Sequence, residues 1–382
     1  MPTEADLYWE RHERAEELFQ ALLSGKADEA RAILKDDPSL AHEHQPYHFD
    51  ASAMNLAAMG GSTEAVDLLL DLGVSPDFGS IWWAGSFSPL MSAVLREDDA
   101  MIRHLIARGA TVTAYEASAM GDLDALKRIL DQDPASANMR AGDGQTPLHV
   151  AATVEAAKLL LERGSDLEAR DVDHESTPAQ YAMSRPAVAE FLLSRGAKGD
   201  AFLYAALQDP ARLKSELLEN PACTSLRIGP ETFSTTPPAA EIIYSYIVGT
   251  GCTPLHVAAN FGRTDSARLL ADAGADPNAR GGYDDAAPLH LAAWNDHGDV
   301  IRALAGCGAE LDALSGELHH NSALGWAVVG GSPDAVQALL DKGAKVEPRH
   351  VEDARLGAAG EFIAYKRQSV ENWKRVLAIL EG

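Results

Sequence analysis

Positive charge is in short supply in this 382-residue chain: 32 Lys and Arg stand against 57 Asp and Glu, a net charge of −25. General nucleic-acid binding and adhesion to anionic membranes both need Lys/Arg surfaces, so neither is expected. Long apolar runs are lacking too. Runs such as Ile242 to Val248 fall far short of the ~20 residues that cross a bilayer. Cysteine is scarce, and Cys223, Cys252 and Cys307 form no CxxC pair. An odd count argues against a disulfide framework. Met1 to Asp6 is polar and acidic, unlike a secretory signal. A monomer in a reducing cytoplasm is the expected state. Catalytic signatures are missing as well. Gly60-Gly61, Gly281-Gly282 and Gly330-Gly331 lack the Lys-Ser/Thr of a phosphate loop, and there is no GxSxG elbow. No cofactor is expected.

What the chain does have is self-similarity. Thr146-Pro147-Leu148-His149-Val150-Ala151-Ala152 returns as Thr253-Pro254-Leu255-His256-Val257-Ala258-Ala259, and again, changed, as Ala287-Pro288-Leu289-His290-Leu291-Ala292-Ala293. Degenerate copies are Ser88-Pro89-Leu90-Met91, Thr177-Pro178-Ala179-Gln180 and Ser322-Ala323-Leu324-Gly325. Downstream comes a Leu-Leu pair and then a glycine, as in Leu69-Leu70 to Gly73, Leu160-Leu161 to Gly164, Leu192-Leu193 to Gly196, Leu269-Leu270 to Gly274 and Leu339-Leu340 to Gly343. The chemistry reads as one unit. Thr caps a helix start, where Pro fits the first turn. The Leu and paired Ala residues make a narrow apolar face, and Gly ends a second helix in the left-handed conformation. A polar stretch such as Asp276 to Gly282 then turns outward as a finger.

These residues resemble the ankyrin repeat, whose ~33-residue unit carries a Thr-Pro-Leu-His start. The resemblance runs from about Glu13 to Glu347 and implies an all-α solenoid of about ten helix–turn–helix units with hairpin fingers. Repeats one to ten have cores near 13–42, 49–79, 83–112, 113–140, 141–172, 173–200, 201–227, 249–280, 281–315 and 317–349. Residues 1–12 read as an N-terminal extension, 13–349 as the array and 350–382 as a capping helical pair. A unit of this size cannot bury its own core, whereas stacked neighbours can. Repeats one, four and seven lack the Thr-Pro-Leu-His start and end on Pro38, Pro134 and Pro221. Repeats five and six run short between their helices, at Thr153 to Glu155 and Ser184 to Pro186, where local changes are expected. Residues 228–248 interrupt the array as an enlarged finger, with strand character in Ile242 to Val248.

Thr146, His149, Thr253, His256 and His290 are structural in this pattern, with the histidines hydrogen-bonding at helix starts and to the neighbouring repeat. Ankyrin proteins generally grip protein partners with finger tips and the ends of first helices. Carried onto this chain, that marks Asp143, His174, Glu175, Tyr283, Asp284, His319 and His320 on fingers, and Trp82 and Trp83 on an earlier one. Phe261, Trp294 and Asn295 end helices, and Tyr244 and Tyr246 lie in the insertion. Trp294 is expected at the surface and Trp326 in packing. The expected function is a non-enzymatic module presenting a rigid acidic groove to a basic protein, a toxin or enzyme held inactive being one concrete form. The alternative is an enzyme, or a small-molecule or metal-binding protein. Asp284 and Asp285 precede one helix start and His319 and His320 the next, across the roughly 10 Å between packed elements. Two carboxylates and two imidazoles meeting there suit a divalent metal or acid–base work.

Overall fold

The structure, a computed structural model, describes residues 4–45, 50–229, 242–318, 320–361 and 369–382. His319 and the part of the insertion at 230–241 lie outside the described residues. Two compact bodies make up the chain, residues 1–173 and 174–382.

In the N-terminal body the helix pairs are Glu4–Leu23 with Ala27–Asp36, Ala53–Gly60 with Thr63–Asp71, Pro89–Leu95 with Asp99–Ala107, and Ala114–Met120 with Leu123–Gln132. First helices pack on first helices along this body. They can do so because the facing positions are small or slim: Ala53, Ala57, Ala58 and Ala93 are fully buried, with Leu18, Leu22, Leu56 and Leu90 filling between them. The C-terminal body repeats the arrangement. Its pairs are Ala201–Leu207 with Pro210–Glu219, Pro254–Asn260 with Thr264–Asp272, Pro288–Trp294 with Gly298–Gly306, Ala323–Gly330 with Pro333–Asp341, and Pro348–Ala359 with Val370–Glu381. Here both the first and the second helices stack in register on their counterparts. Each apolar stripe is thereby buried against the next pair, and no pair stands alone.

The sequence punctuation acts where it stands. Gly73, Gly164, Gly196, Gly274 and Gly343 come after second helices with φ between +85° and +100°. Only glycine takes that conformation without strain. Repeats one, four and seven, fingerless in that no finger with a Thr-Pro-Leu-His start leads into them, differ in a regular way. Their second helices, Ala27–Asp36, Leu123–Gln132 and Pro210–Glu219, are ten residues long, and each leads into a 3₁₀ turn that opens on Pro38, Pro134 or Pro221. Asp37 and Asp133 cap two of those turns through the backbone N–H groups of Ser39 and Ala135.

Four expectations change. The first helix of repeat one starts at Glu4, so the boundary set at residue 12 falls inside a helix. In repeat five the Thr-Pro-Leu-His segment is a turn, and in repeat six its helix is only Pro178–Tyr181. The residues missing between the two helices are thus taken out of the first one. The Ile242 to Val248 run is a single helical turn, Tyr244–Ile247, rather than a strand. It has no neighbouring strand to pair with among the described residues, and its place is fixed instead by burial of Ile242 and Tyr244. Among the described residues the one two-stranded sheet is His44–Gln45 against Ala51–Ser52. No helix among the described residues is long and apolar enough to cross a membrane.

Candidate protein-binding surface

The fingers are held by a histidine device built from the Thr-Pro-Leu-His start. The backbone N–H of Thr253 donates to His256 Nδ1 at 3.1 Å, and that of Thr146 donates to His149 Nδ1 at 3.0 Å. A nitrogen that accepts a backbone N–H carries no proton, so the proton sits on Nε2. From there His256 donates to Ala286 O at 3.0 Å, and His290 donates to Ala313 O and Asn321 O at 3.1 and 3.2 Å. Burial pushes both imidazoles down to about 4, which keeps them neutral with this tautomer intact. Asn55 performs the same task. Its side-chain oxygen accepts from Ser52 N and its nitrogen donates to Phe87 O. Phe87, Ala286 and Asn321 each directly precede the next helix cap, so in these three repeats one polar side chain both closes its own helix start and fixes the next finger. Glu347-Pro348-Arg349-His350 is a further copy of the motif, disguised by Glu in place of Thr and Arg in place of Leu. The N–H of Glu347 donates to His350 Nδ1 at 3.1 Å.

A second set of ties joins finger bases. Asp77 accepts from Thr111 N, Asn138 from Asp166 N, Asn278 from Glu310 N and Asp312 from Lys345 N, all at 2.8 Å. Residue type alone would make these ordinary turn formers. Asp77, Asn278 and Asp312 each stand four residues after a helix-ending glycine, and that recurrence is the sequence signal for them. Arg140 donates to Gly144 O and Arg170 O, while Arg227 donates to Gly251 O and Arg280 O.

That arginine pair reveals what the insertion is. In repeat five, Ala141 N donates to Gln145 O and Gly144 N to Ala141 O. In repeat eight, Ile228 N donates to Cys252 O and Gly251 N to Ile228 O. The two finger bases are the same construction. One closes over the tip Gly142-Asp143, and the other over residues 229–250. The longer tip returns to the stack at Tyr244, whose hydroxyl donates to Asp200 Oδ2 at 3.1 Å. Asp200 caps Ala201–Leu207 through Leu203 N and also accepts from Gln180 Nε2. Burial raises the Asp200 carboxyl above its ordinary range, against the pull of these three donors. The Ile243 N–H donates to Ser176 Oγ, and Tyr246 packs edge-on against His174 with ring centroids 5.1 Å apart.

The expected contact residues divide accordingly. Tyr244 is fully buried and His174 is buried, so neither lies on an exposed groove. Tyr244 is needed to seat the insertion, and the insertion in turn covers His174. Tyr246 is 65% exposed, Tyr283 60% and Trp83 45%, while Trp82 is half-buried against Trp83. Asp143 and Glu175 are half-buried with φ of 56° and 50°. Phe261 is half-buried at a helix end. Trp294 is half-buried, its ring edge-on to the buried Trp326 at 6.0 Å, and Trp326 donates its indole N–H to Ser315 Oγ. Asn295 donates to Asn260 Oδ1 and Leu291 O.

Asp284 is committed to the fold. Its Oδ1 accepts from Leu318 N at 2.9 Å, its Oδ2 from Ser315 Oγ at 2.8 Å, and its backbone oxygen from Gly316 N. Asp285 lies 3.8 Å from Arg280 Nε and His320 is exposed. Asp284, Asp285 and His320 do not gather as a three-donor metal set among the described residues.

Comparison with known proteins places this construction. Residues 114–202 and 238–315 match the family model for ankyrin repeats in three copies. Mouse ankyrin repeat and SAM domain-containing protein 6 is 33% identical over 88 residues, which are 22% of this chain and 10% of that protein. The putative E3 ubiquitin-protein ligase XBAT31 of Arabidopsis thaliana is 28% identical over 172 residues, 39% of this chain and 37% of that protein. Similarity to the crystal structure of the human ASB11 ankyrin repeat domain covers 62% of this chain and all of that one, at 26% identity and a TM-score of 0.38. The chain thus spans well under half the length of these curated relatives. The matched residues are ankyrin repeats, and ankyrin repeats indicate a protein–protein interaction module.

Proposed function

We propose that the module binds a basic protein through the finger side of its C-terminal body, and that it acts by occupying that partner as a toxin- or enzyme-neutralising protein does. One observation carries this reading. Residues 242–341 contain four arginines and no lysine against twelve carboxylates. All four arginines are engaged within the body: Arg263 with Ala206 O, Arg268 with Asp265, Arg280 with Leu314 O and Arg302 with Asp299. The charge left for a partner is negative. Such a field speeds encounter with a basic surface and disfavours acidic competitors. The hydrogen-bonded finger bases supply the rigidity that keeps the ordering cost of binding low. A cytoplasmic monomer with a non-enzymatic role completes the proposal.

Capture from the native cell with the full chain as bait, eluted in rising salt, tests it. The expected result is retention of a basic protein whose affinity falls steeply with ionic strength. Retention insensitive to salt, or of acidic proteins alone, would remove the reading.

A further inference from the structure

Negative charge sets the sign of the partner but not how it is gripped. Three consecutive finger positions of the C-terminal body each expose one large side chain: Tyr246 at 65%, Tyr283 at 60% and Leu318 at 67%. Their backbones are fixed to one another. Gly282 N donates to Thr250 O at 2.7 Å, and a Cβ on Gly249 would lie only 2.7 Å from Gly282 Cα, so the insertion and the Tyr283 finger touch main chain to main chain. Asp284 then holds the next finger through Gly316 N and Leu318 N. Tyr246 is itself braced by the His174 ring. Among and beside these tips stand Asp285 and Glu317, both exposed, and half-buried Glu175. No Lys or Arg occurs from 242 to 262, from 281 to 301 or from 303 to 341, and the cations that reach these fingers are committed there, Arg280 beside Asp285 and Arg349 to His320 O.

Exposed tyrosines on fingers that also carry carboxylates select one kind of group. A guanidinium stacks on an aromatic face while its edge donates to carboxylates, and it sheds water more readily than an ammonium does. A row at successive finger tips suits an extended chain, whose alternate side chains point the same way. Resting on the proposed basic partner, we infer that Tyr246, Tyr283 and Leu318 form one seat for an extended, arginine-bearing segment, with the insertion present to supply its first aromatic position.

The test is fluorescence-anisotropy titration of the full chain with a labelled alternating Arg-Leu peptide, beside Lys-Leu and Glu-Leu peptides of equal length. The Arg peptide is expected to bind best, the Lys peptide more weakly and the Glu peptide not at all. Tyr246→Leu with Tyr283→Leu should weaken the Arg peptide at least about tenfold, a loss of about 1.4 kcal/mol. Tyr246→Phe with Tyr283→Phe, which keeps both ring faces, should retain it. Unchanged thermal melting of both pairs shows that the fold is intact. Equal binding by the Leu pair overturns the seat while leaving an acidic basic-partner module standing. Equal binding of the Glu peptide, or failure of the Arg peptide to bind wild type, also overturns it, and the salt-graded capture separately decides the broader reading.

Discussion

Fingers five and eight have the same base and opposite tips. In finger five a two-residue tip reaches back past fingerless repeat four and meets finger three directly. A Cβ on Gly85 would sit 2.1 Å from Ala141 O, and one on Gly142 would sit 2.3 Å from a Phe87 ring carbon. The contact exists because neither position carries a side chain. In finger eight the described part of the longer tip, from residue 242 on, makes its contacts through side chains: Tyr244 and Tyr246 meet Asp200 and His174, while Ile243 N reaches Ser176. One gap is closed by removing atoms and the other by adding chain. The added chain also brings something the bare glycine contact cannot: an exposed aromatic at a position where finger five offers only Asp143.

The largest effect should come from taking away the anchor of the long tip. Tyr244 is fully buried against Phe202, with ring centroids 5.7 Å apart. Tyr244→Ala should cost about 4 kcal/mol, in the range for opening a cavity of aromatic size. Hydrogen exchange should localise the loss to residues 201–219 and 242–248. An unchanged exchange pattern would mean the long tip is not what seals repeat seven.

Acid should come next, and it probes the histidine-closed helix starts beyond the long tip. An unfolded histidine titrates near 6.5, whereas burial holds His256 and His290 near 4. Between those values the unfolded chain carries more protons, so stability falls as pH drops from 6.5 to 4 and is fully present above 6.5. Each such histidine contributes about 3 kcal/mol over that window, at about 1.4 kcal/mol per pKa unit. Denaturant midpoints measured across the window should fall in wild type and flatten in part when His256 is replaced by Gln, which keeps an acceptor and a donor but does not titrate.

Much of this was legible in the sequence because it is local. Thr253, Pro254, His256 and the glycines after second helices each act within a few residues of themselves, and their recurrence exposed the repeat. The fate of Tyr244 and Tyr246 was not legible. They stand two apart in a segment with no repeat to set its register, and only the distant Asp200 and His174 decide that one goes in and the other stays out. The burial of His174 depends on the same contact: it sits on a finger by spacing and is covered by a segment some seventy residues later. The paired arginines Arg140 and Arg227 were the available clue that finger eight is finger five with a longer tip.

The short tip should answer to a smaller perturbation. Gly142→Ala places a methyl group against the Phe87 ring, and the ring has to move for it to fit. Overpacking of this kind should cost about 2 kcal/mol, confined to the N-terminal body. Phe87→Leu in the same chain, offering a smaller and more pliable neighbour, should recover part of it, and a double-mutant cycle measures how much. Strict additivity of the two changes would separate Gly142 from Phe87 energetically.

The smallest expected effect distinguishes how the long tip is held from whether it is held. Tyr244→Phe keeps the ring and removes only the hydroxyl that donates to Asp200. Leu203 N and Gln180 Nε2 still donate to that carboxylate, so it is not stranded. The loss should therefore be near the net worth of one hydrogen bond, about 1 kcal/mol, and not the larger penalty of an orphaned charge. If Tyr244→Phe instead matched Tyr244→Ala, the hydroxyl rather than the buried ring would be holding the insertion in place. Finger eight would then be fastened by a polar latch, whereas finger five meets finger three through the close approach of Gly142 to Phe87 and of Gly85 to Ala141.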